Sequence, residues 1–102
     1  MERMKIMYNS TAETVQQLIA TKRGVLFDLD GTMIPSLDLW SMVDVEYARD
    51  CVIFEDSPAG IDEAFATGID TVAVYDEFWA GQVNEIQKMT PYRINSFEEL
   101  GQ

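Results

Sequence analysis

Apolar positions along the chain alternate between two patterns. Over residues 10–22, Ala12, Val15, Leu18 and Ile19 recur at the spacing of one helix face, with Lys22 in the same series. Ser10 followed three residues later by Glu13 has the form of a capping box, and Gly24 lies just past the end, so a helix is predicted over 10–22. The run Val25-Leu26-Phe27 is short, β-prone and unalternating, the pattern of a strand buried on both faces. A polar turn, Asp28-Leu29-Asp30-Gly31-Thr32, leads to a second helical segment over 37–48, with Leu37, Trp40, Met42, Val43, Tyr47 and Ala48 as its apolar positions. Cys51-Val52-Ile53-Phe54 repeats the buried-strand pattern and is closed by Glu55-Asp56. The next helix carries explicit boundaries: Ser57 as N-cap, Pro58 at the first helical position and Gly68 as the stop. Thr71–Tyr75 reads as a third strand, 77–89 as a helix, Tyr92-Arg93-Ile94 as a fourth strand, and Ser96 as the cap of a final turn through Leu100.

Strands alternating with helices predict an α/β fold around a parallel sheet of three to four strands. Such sheets bind ligands beyond the carboxyl ends of their strands. Two acidic clusters, Asp28/Asp30 and Glu55/Asp56, each follow directly on a buried strand and so fall at that end. With 102 residues and no repeat, low-complexity tract or linker, the chain is read as an N-terminal helical extension over 1–23 and one core domain over 24–102.

Charge narrows the partners. Seven Lys and Arg against 18 Asp and Glu give a net charge of −11, which repels phosphate backbones and anionic lipid, so neither nucleic acid nor membrane is an expected partner. No histidine is present, which removes Ser-His-Asp and Cys-His catalysis and most zinc sites. The single cysteine, Cys51, opens an apolar strand and is read as a core residue. No apolar run reaches the roughly 20 residues of a membrane span, and the first ten residues lack the form of a secretory signal, so the expected compartment is the cytoplasm.

Carboxylates are therefore the chemistry available. Several of them at one point repel each other unless a cation binds, and hard oxygen ligands select Mg²⁺ or Ca²⁺. A carboxylate beside Mg²⁺ can attack phosphorus, and a second acid two residues along can protonate the leaving oxygen and then activate water. Each cluster alone also has an ordinary reading. Asp and Gly after a strand are common turn formers, and Glu55-Asp56-Ser57-Pro58 suits a helix N-terminus that favours acids. Trp40 and Trp79 are read as packing residues, and Glu98 and Glu99 as a solvated face.

Val25-Leu26-Phe27-Asp28-Leu29-Asp30-Gly31-Thr32 resembles the first motif of the haloacid dehalogenase (HAD) superfamily of phosphohydrolases. Phe54-Glu55-Asp56-Ser57-Pro58-Ala59-Gly60 resembles the fourth motif of its phosphatase and β-phosphoglucomutase-like branch, and the resemblance extends over about residues 24–100. It implies a three-layer Rossmann-like, HAD-like fold, Mg²⁺ as cofactor and a small phosphorylated metabolite as substrate. It implies Asp28 as nucleophile and metal ligand, Asp30 as general acid/base and metal ligand through its carbonyl, and Glu55 and Asp56 as the rest of the metal site. The phosphoryl group would be held by Leu29, Asp30, Gly31 and Thr32.

Only 22 residues separate Thr32 from Glu55, where family members usually carry a cap domain and two further motifs that supply a Ser or Thr and a Lys. The chain is thus read as a truncated, capless form. A five-residue strand is about 17 Å long, which places Lys22, Arg23, Arg49, Lys88 and Arg93 at the far end of the sheet from the acids; Arg3 and Lys5 are unassigned. The strand at 25–27 is expected to lose its neighbours on one side, inviting self-association through the edge or cover by the N-terminal segment. The resulting expectation is a Mg²⁺-dependent phosphatase of weak or lost activity. The alternatives are a non-catalytic HAD-like Mg²⁺-binding or interaction module and, third, a phospho-accepting receiver-like domain.

Overall fold

A computed structural model describes residues 7–28 and 45–101. The elements in chain order are α1 (Ala12–Ala20), β1 (Gly24–Asp28), α2 (Val45–Arg49), β2 (Cys51–Glu55), α3 (Pro58–Ala66), β3 (Asp70–Val74), a 3₁₀ turn (Glu77–Gln82), α4 (Val83–Gln87), β4 (Tyr92–Ile94) and a second 3₁₀ turn (Phe97–Leu100). The four strands form one parallel sheet in the order β1-β2-β3-β4. No described helix is long and apolar enough to cross a membrane.

Strands that follow sequence order with crossovers of one hand must carry those crossovers on one face. That face holds α2, α3 and α4: Ala48, Ile53, Ala64 and Ile69 form one buried cluster there, and Tyr8, Ile61, Ala73, Val83 and Ile86 another. The opposite face is left to α1, whose Val15 is fully buried against Val52, Phe54, Val72, Val74 and Ile94. The helix predicted over 10–22 thus exists and supplies the third layer of the α/β fold.

Its cap differs from expectation. The residue before α1 is Thr11, and the predicted Ser10–Glu13 box does not form; the Ser10 hydroxyl instead donates to Glu99 Oε1. Glu99 Oε2 also accepts from Asn95 N at 2.6 Å and Ser96 N at 3.1 Å. Glu99, read from the sequence as a solvated acid, therefore joins the start of the chain to its end.

Two further expectations change. All five residues of β2 are buried, but β1 is an edge strand among the described residues, with Val25 and Phe27 exposed, Phe27 at 63%. Phe27 stacks on Phe54 on the face that α1 covers, and α1 packs toward β4 at the opposite edge, so that face of β1 is left open. The N-terminal segment covers the other edge. Thr11 N donates to Arg93 O at 2.8 Å and Arg93 N to Thr11 Oγ1 at 2.8 Å, while Tyr8 exchanges two hydrogen bonds with the Asn95 side chain, so residues 8–11 run antiparallel to β4. The helix predicted over 77–89 divides at Trp79 and Gln82 into the 3₁₀ turn and α4. Of the segment predicted over 37–48, the part before Val45 lies outside the described residues.

Candidate functional site

The carboxyl end of β2 passes into α3 through Glu55, Asp56 and Ser57. Ser57 caps the helix as predicted, its Oγ accepting from Gly60 N at 3.1 Å, and Pro58 occupies the first turn, where no N–H is needed. Gly68, at φ +87°, ends the helix in the left-handed conformation that glycine tolerates best. Glu55 is buried and turned back onto this junction. Its Oε1 accepts from Asp56 N at 3.1 Å, Ser57 N at 3.2 Å and Ser57 Oγ at 3.2 Å. These are charge-assisted bonds at the positive end of a helix, which suits an ionised acid. Gly60 makes the arrangement possible, because a Cβ there would overlap the Glu55 carboxylate. Glu55 thus shapes the turn, and Asp56, 95% buried, is the acid the turn presents.

Asp28 ends β1 with its Cα paired to that of Glu55. The parallel register brings the ends of β1 and β2 side by side, about 4.8 Å apart, as the sequence reading requires. Leu29, Asp30, Gly31 and Thr32 lie outside the described residues. Among the described residues no three His, Cys, Asp or Glu side chains are grouped to hold a metal ion.

Two residues at this end were missed by the sequence reading. Asp76 follows β3 as Asp56 follows β2; its Oδ1 accepts from Phe78 N at 2.8 Å, capping the 3₁₀ turn. The signal was available, since an acid directly after a strand is the same feature that singled out Asp28 and Glu55/Asp56. Tyr8 had no local signal. It reaches this end because the N-terminal segment follows β4, and its ring meets Tyr75 edge-on at 5.7 Å. Burial, with the added charge of Asp56, Tyr75 and Asp76, pushes its phenol up to about 12.

The cations sit elsewhere. Lys22 pairs with Asp70, the first residue of β3, at 2.6 Å, and Arg23 with Asp50 at 3.6 Å, both at the amino end of the sheet. Arg93 turns toward the carbonyls of Asn9, Gln87 and Thr90, and Lys88 lies 3.9 Å from Glu85. Arg49 closes α2 just before β2. Among the described residues no Lys or Arg stands on β1 or β2 at this end; Arg93, expected at the far end, is instead in register with Ala73 and so level with Glu55, two strands away, while Arg3 and Lys5 lie outside the described residues. An open cleft of about 390 Å³, lined by Arg23, Glu46, Tyr47 and Asp50, is also at the amino end, away from the acids.

Carboxylates at this end are of the type that could hold a hard divalent cation. Carboxylate oxygens are the ligands Mg²⁺ prefers, the ends of β1 and β2 are adjacent, and no described side chain there offers a competing positive charge. Asp56 and Asp28 would hold the ion, with Glu55 committed to the helix end. Comparison with known protein families, with characterised proteins and with solved structures finds no match to this chain.

Proposed function

We propose that the carboxyl end of the sheet is a HAD-type, Mg²⁺-dependent phosphohydrolase site for a small phosphorylated metabolite, with low turnover in this short form. The observation that carries the reading is the register of Asp28 against Glu55, which sets the end of β1 beside buried Asp56 at the start of α3. Mg²⁺, when bound by Asp28 and Asp56, supplies charge neutralisation and polarises phosphate oxygens. The Asp28 carboxylate attacks phosphorus, the bond to the ester oxygen breaks, and Asp30 protonates that oxygen as it leaves. Asp30 then takes a proton from water, whose oxygen attacks phosphorus, releasing phosphate and restoring Asp28. The roles of Asp30 and of the Leu29–Thr32 segment rest on the resemblance of the motif.

Phosphoryl transfer depends on positioning and on stabilising charge on the equatorial oxygens. Loss of one preorganised donor typically costs on the order of 10²–10³ in rate. With no Lys or Arg on β1 or β2 beside the acids among the described residues, turnover is expected far below about 1 s⁻¹. The same observation favours a second reading, a non-catalytic Mg²⁺-binding module. Hydrolysis of an aryl phosphate, with and without Mg²⁺, in wild type and Asp28→Asn tests both. Slow Mg²⁺-dependent hydrolysis lost in Asp28→Asn supports the first reading. Mg²⁺ binding without hydrolysis supports the second, and ordinary turnover lost in Asp28→Asn contradicts the account of the missing cation.

A further inference from the structure

The fold treats the two edges of its sheet differently. Along β4, residues 8–11 cover the edge, with Thr11 N donating to Arg93 O and Arg93 N to Thr11 Oγ1, both at 2.8 Å. Along β1, no described residue pairs on the side away from β2. Sheets commonly blunt such an edge with proline, lysine or a bulge. β1 has none of these: Gly24 to Asp28 keep unbroken register with Cys51 to Glu55, and the residues between are Val25, Leu26 and Phe27. Val25 and Phe27 share one face and are 38% and 63% exposed. Phe97, 40% exposed, meets the Phe27 ring at 5.8 Å and widens the apolar strip.

We propose that this edge binds a second copy of the chain, β1 pairing antiparallel with β1 of that copy about a two-fold axis at Leu26. The strand complements itself in that register. Leu26 faces Leu26, and Val25 of each copy faces Phe27 of the other, so both exposed side chains gain an apolar neighbour on the same face. Gly24, with no side chain, faces Asp28. Charge selects the direction. At the amino end, Lys22, Arg23 and Arg49 stand beside Asp50 and Asp70, whereas the acids that end β1 and β2 have no described base on those strands. Antiparallel pairing sets each amino end against the other copy's acids, and parallel pairing would set acid against acid. Because the β4 edge is already covered, the assembly closes at two copies. An edge of five residues is short, so the dimer is expected to dissociate on dilution.

Sedimentation of the full chain over a range of concentrations tests this, with wild type beside Val25→Lys. Wild type is expected to pass from the 11.6 kDa monomer to twice that mass as concentration rises. Val25→Lys puts a charge opposite Phe27 twice in each dimer, and is expected to weaken association about tenfold or more with an unchanged circular dichroism spectrum. If that variant fails to fold, a cysteine pair reads the register instead. Val25→Cys mixed with Phe27→Cys is expected to cross-link on oxidation, and each alone far more slowly, because residue 25 faces residue 27 and not itself. Cys51 is fully buried and takes no part. A wild type that stays monomeric up to about 1 mM overturns the proposal, and protection of its β1 amides from hydrogen exchange would then assign the edge to cover by its own chain. Assemblies larger than two, or a dimer that neither responds to Val25→Lys nor yields the mixed cross-link, overturn it as well.

Discussion

The two ends of the sheet handle charge in opposite ways. At the amino end, Lys22 meets Asp70 and Arg23 meets Asp50, while Arg93, out on β4, is absorbed by three backbone carbonyls. At the carboxyl end, Asp28, Glu55, Asp56 and Asp76 end or follow three neighbouring strands, Glu55 held by the start of α3 and Asp76 by the 3₁₀ turn that it caps. Seven bases stand against 18 acids, and Lys22 and Arg23 are placed where the strands begin. The end that keeps its acids together is the end where parallel sheets bind ligands, and the proposed Mg²⁺ is placed there for that reason.

The largest expected effect separates the N-terminal segment from both ends. Removing residues 1–23 uncovers the face held by Val15, Leu18 and Ile19 and takes away Tyr8 and Lys22. Burial of those apolar side chains is worth on the order of 5 kcal/mol, comparable to the whole stability of a small domain. The deleted chain is expected to lose its cooperative thermal transition by circular dichroism; an unchanged melting temperature would show that α1 adds nothing to the sheet.

Gly60→Ala probes the carboxyl end by pushing Glu55 off the α3 terminus. A loss of about 1–3 kcal/mol in urea unfolding is expected, as for other overpacked sites. Glu55→Ala in the same chain should relieve part of it, and additive effects of the two substitutions would argue against the contact.

Alkaline unfolding reads the burial of the Tyr8 phenol and, after it, the acids nearby. Its phenol is held near 12, above the ordinary 10, so the folded state keeps this proton more tightly than the unfolded one. The resulting stability is complete below pH 10 and is lost as pH rises from about 10 to 12, at up to about 1.4 kcal/mol per pH unit. Wild type should therefore lose stability more steeply than Tyr8→Phe over that window, and parallel slopes would place the phenol in a neutral setting.

The smallest effect belongs to the amino end. Lys22 is mostly buried but Asp70 is more than one-third exposed, so Lys22→Met is expected to cost roughly 0.5–1 kcal/mol, less in high salt. A cost independent of salt would assign the effect to packing of the lysine stem instead.

Local chemistry made much of this legible in the sequence. Ser57, Pro58 and Gly68 bound α3 because capping, a fixed φ and the left-handed stop are properties of single residues. The buried β2 run was equally plain, since no polar residue interrupts it before Glu55. What the sequence concealed depends on distant partners. Ser10 chose Glu99 over Glu13, the N-terminal segment paired with β4 rather than β1, and Tyr8 arrived beside Tyr75 through that pairing. None of these contacts leaves a trace in residue spacing. At the site, Glu55 and Asp56 were legible as strand-end acids, but their division of labour was not, because it turns on the space that Gly60 leaves for one carboxylate.

The most direct test of the account is calorimetric titration of the full chain with Mg²⁺, beside Asp56→Ala. The account predicts weak, saturable Mg²⁺ binding in the wild type and its loss in Asp56→Ala. Identical binding in the two proteins would contradict it.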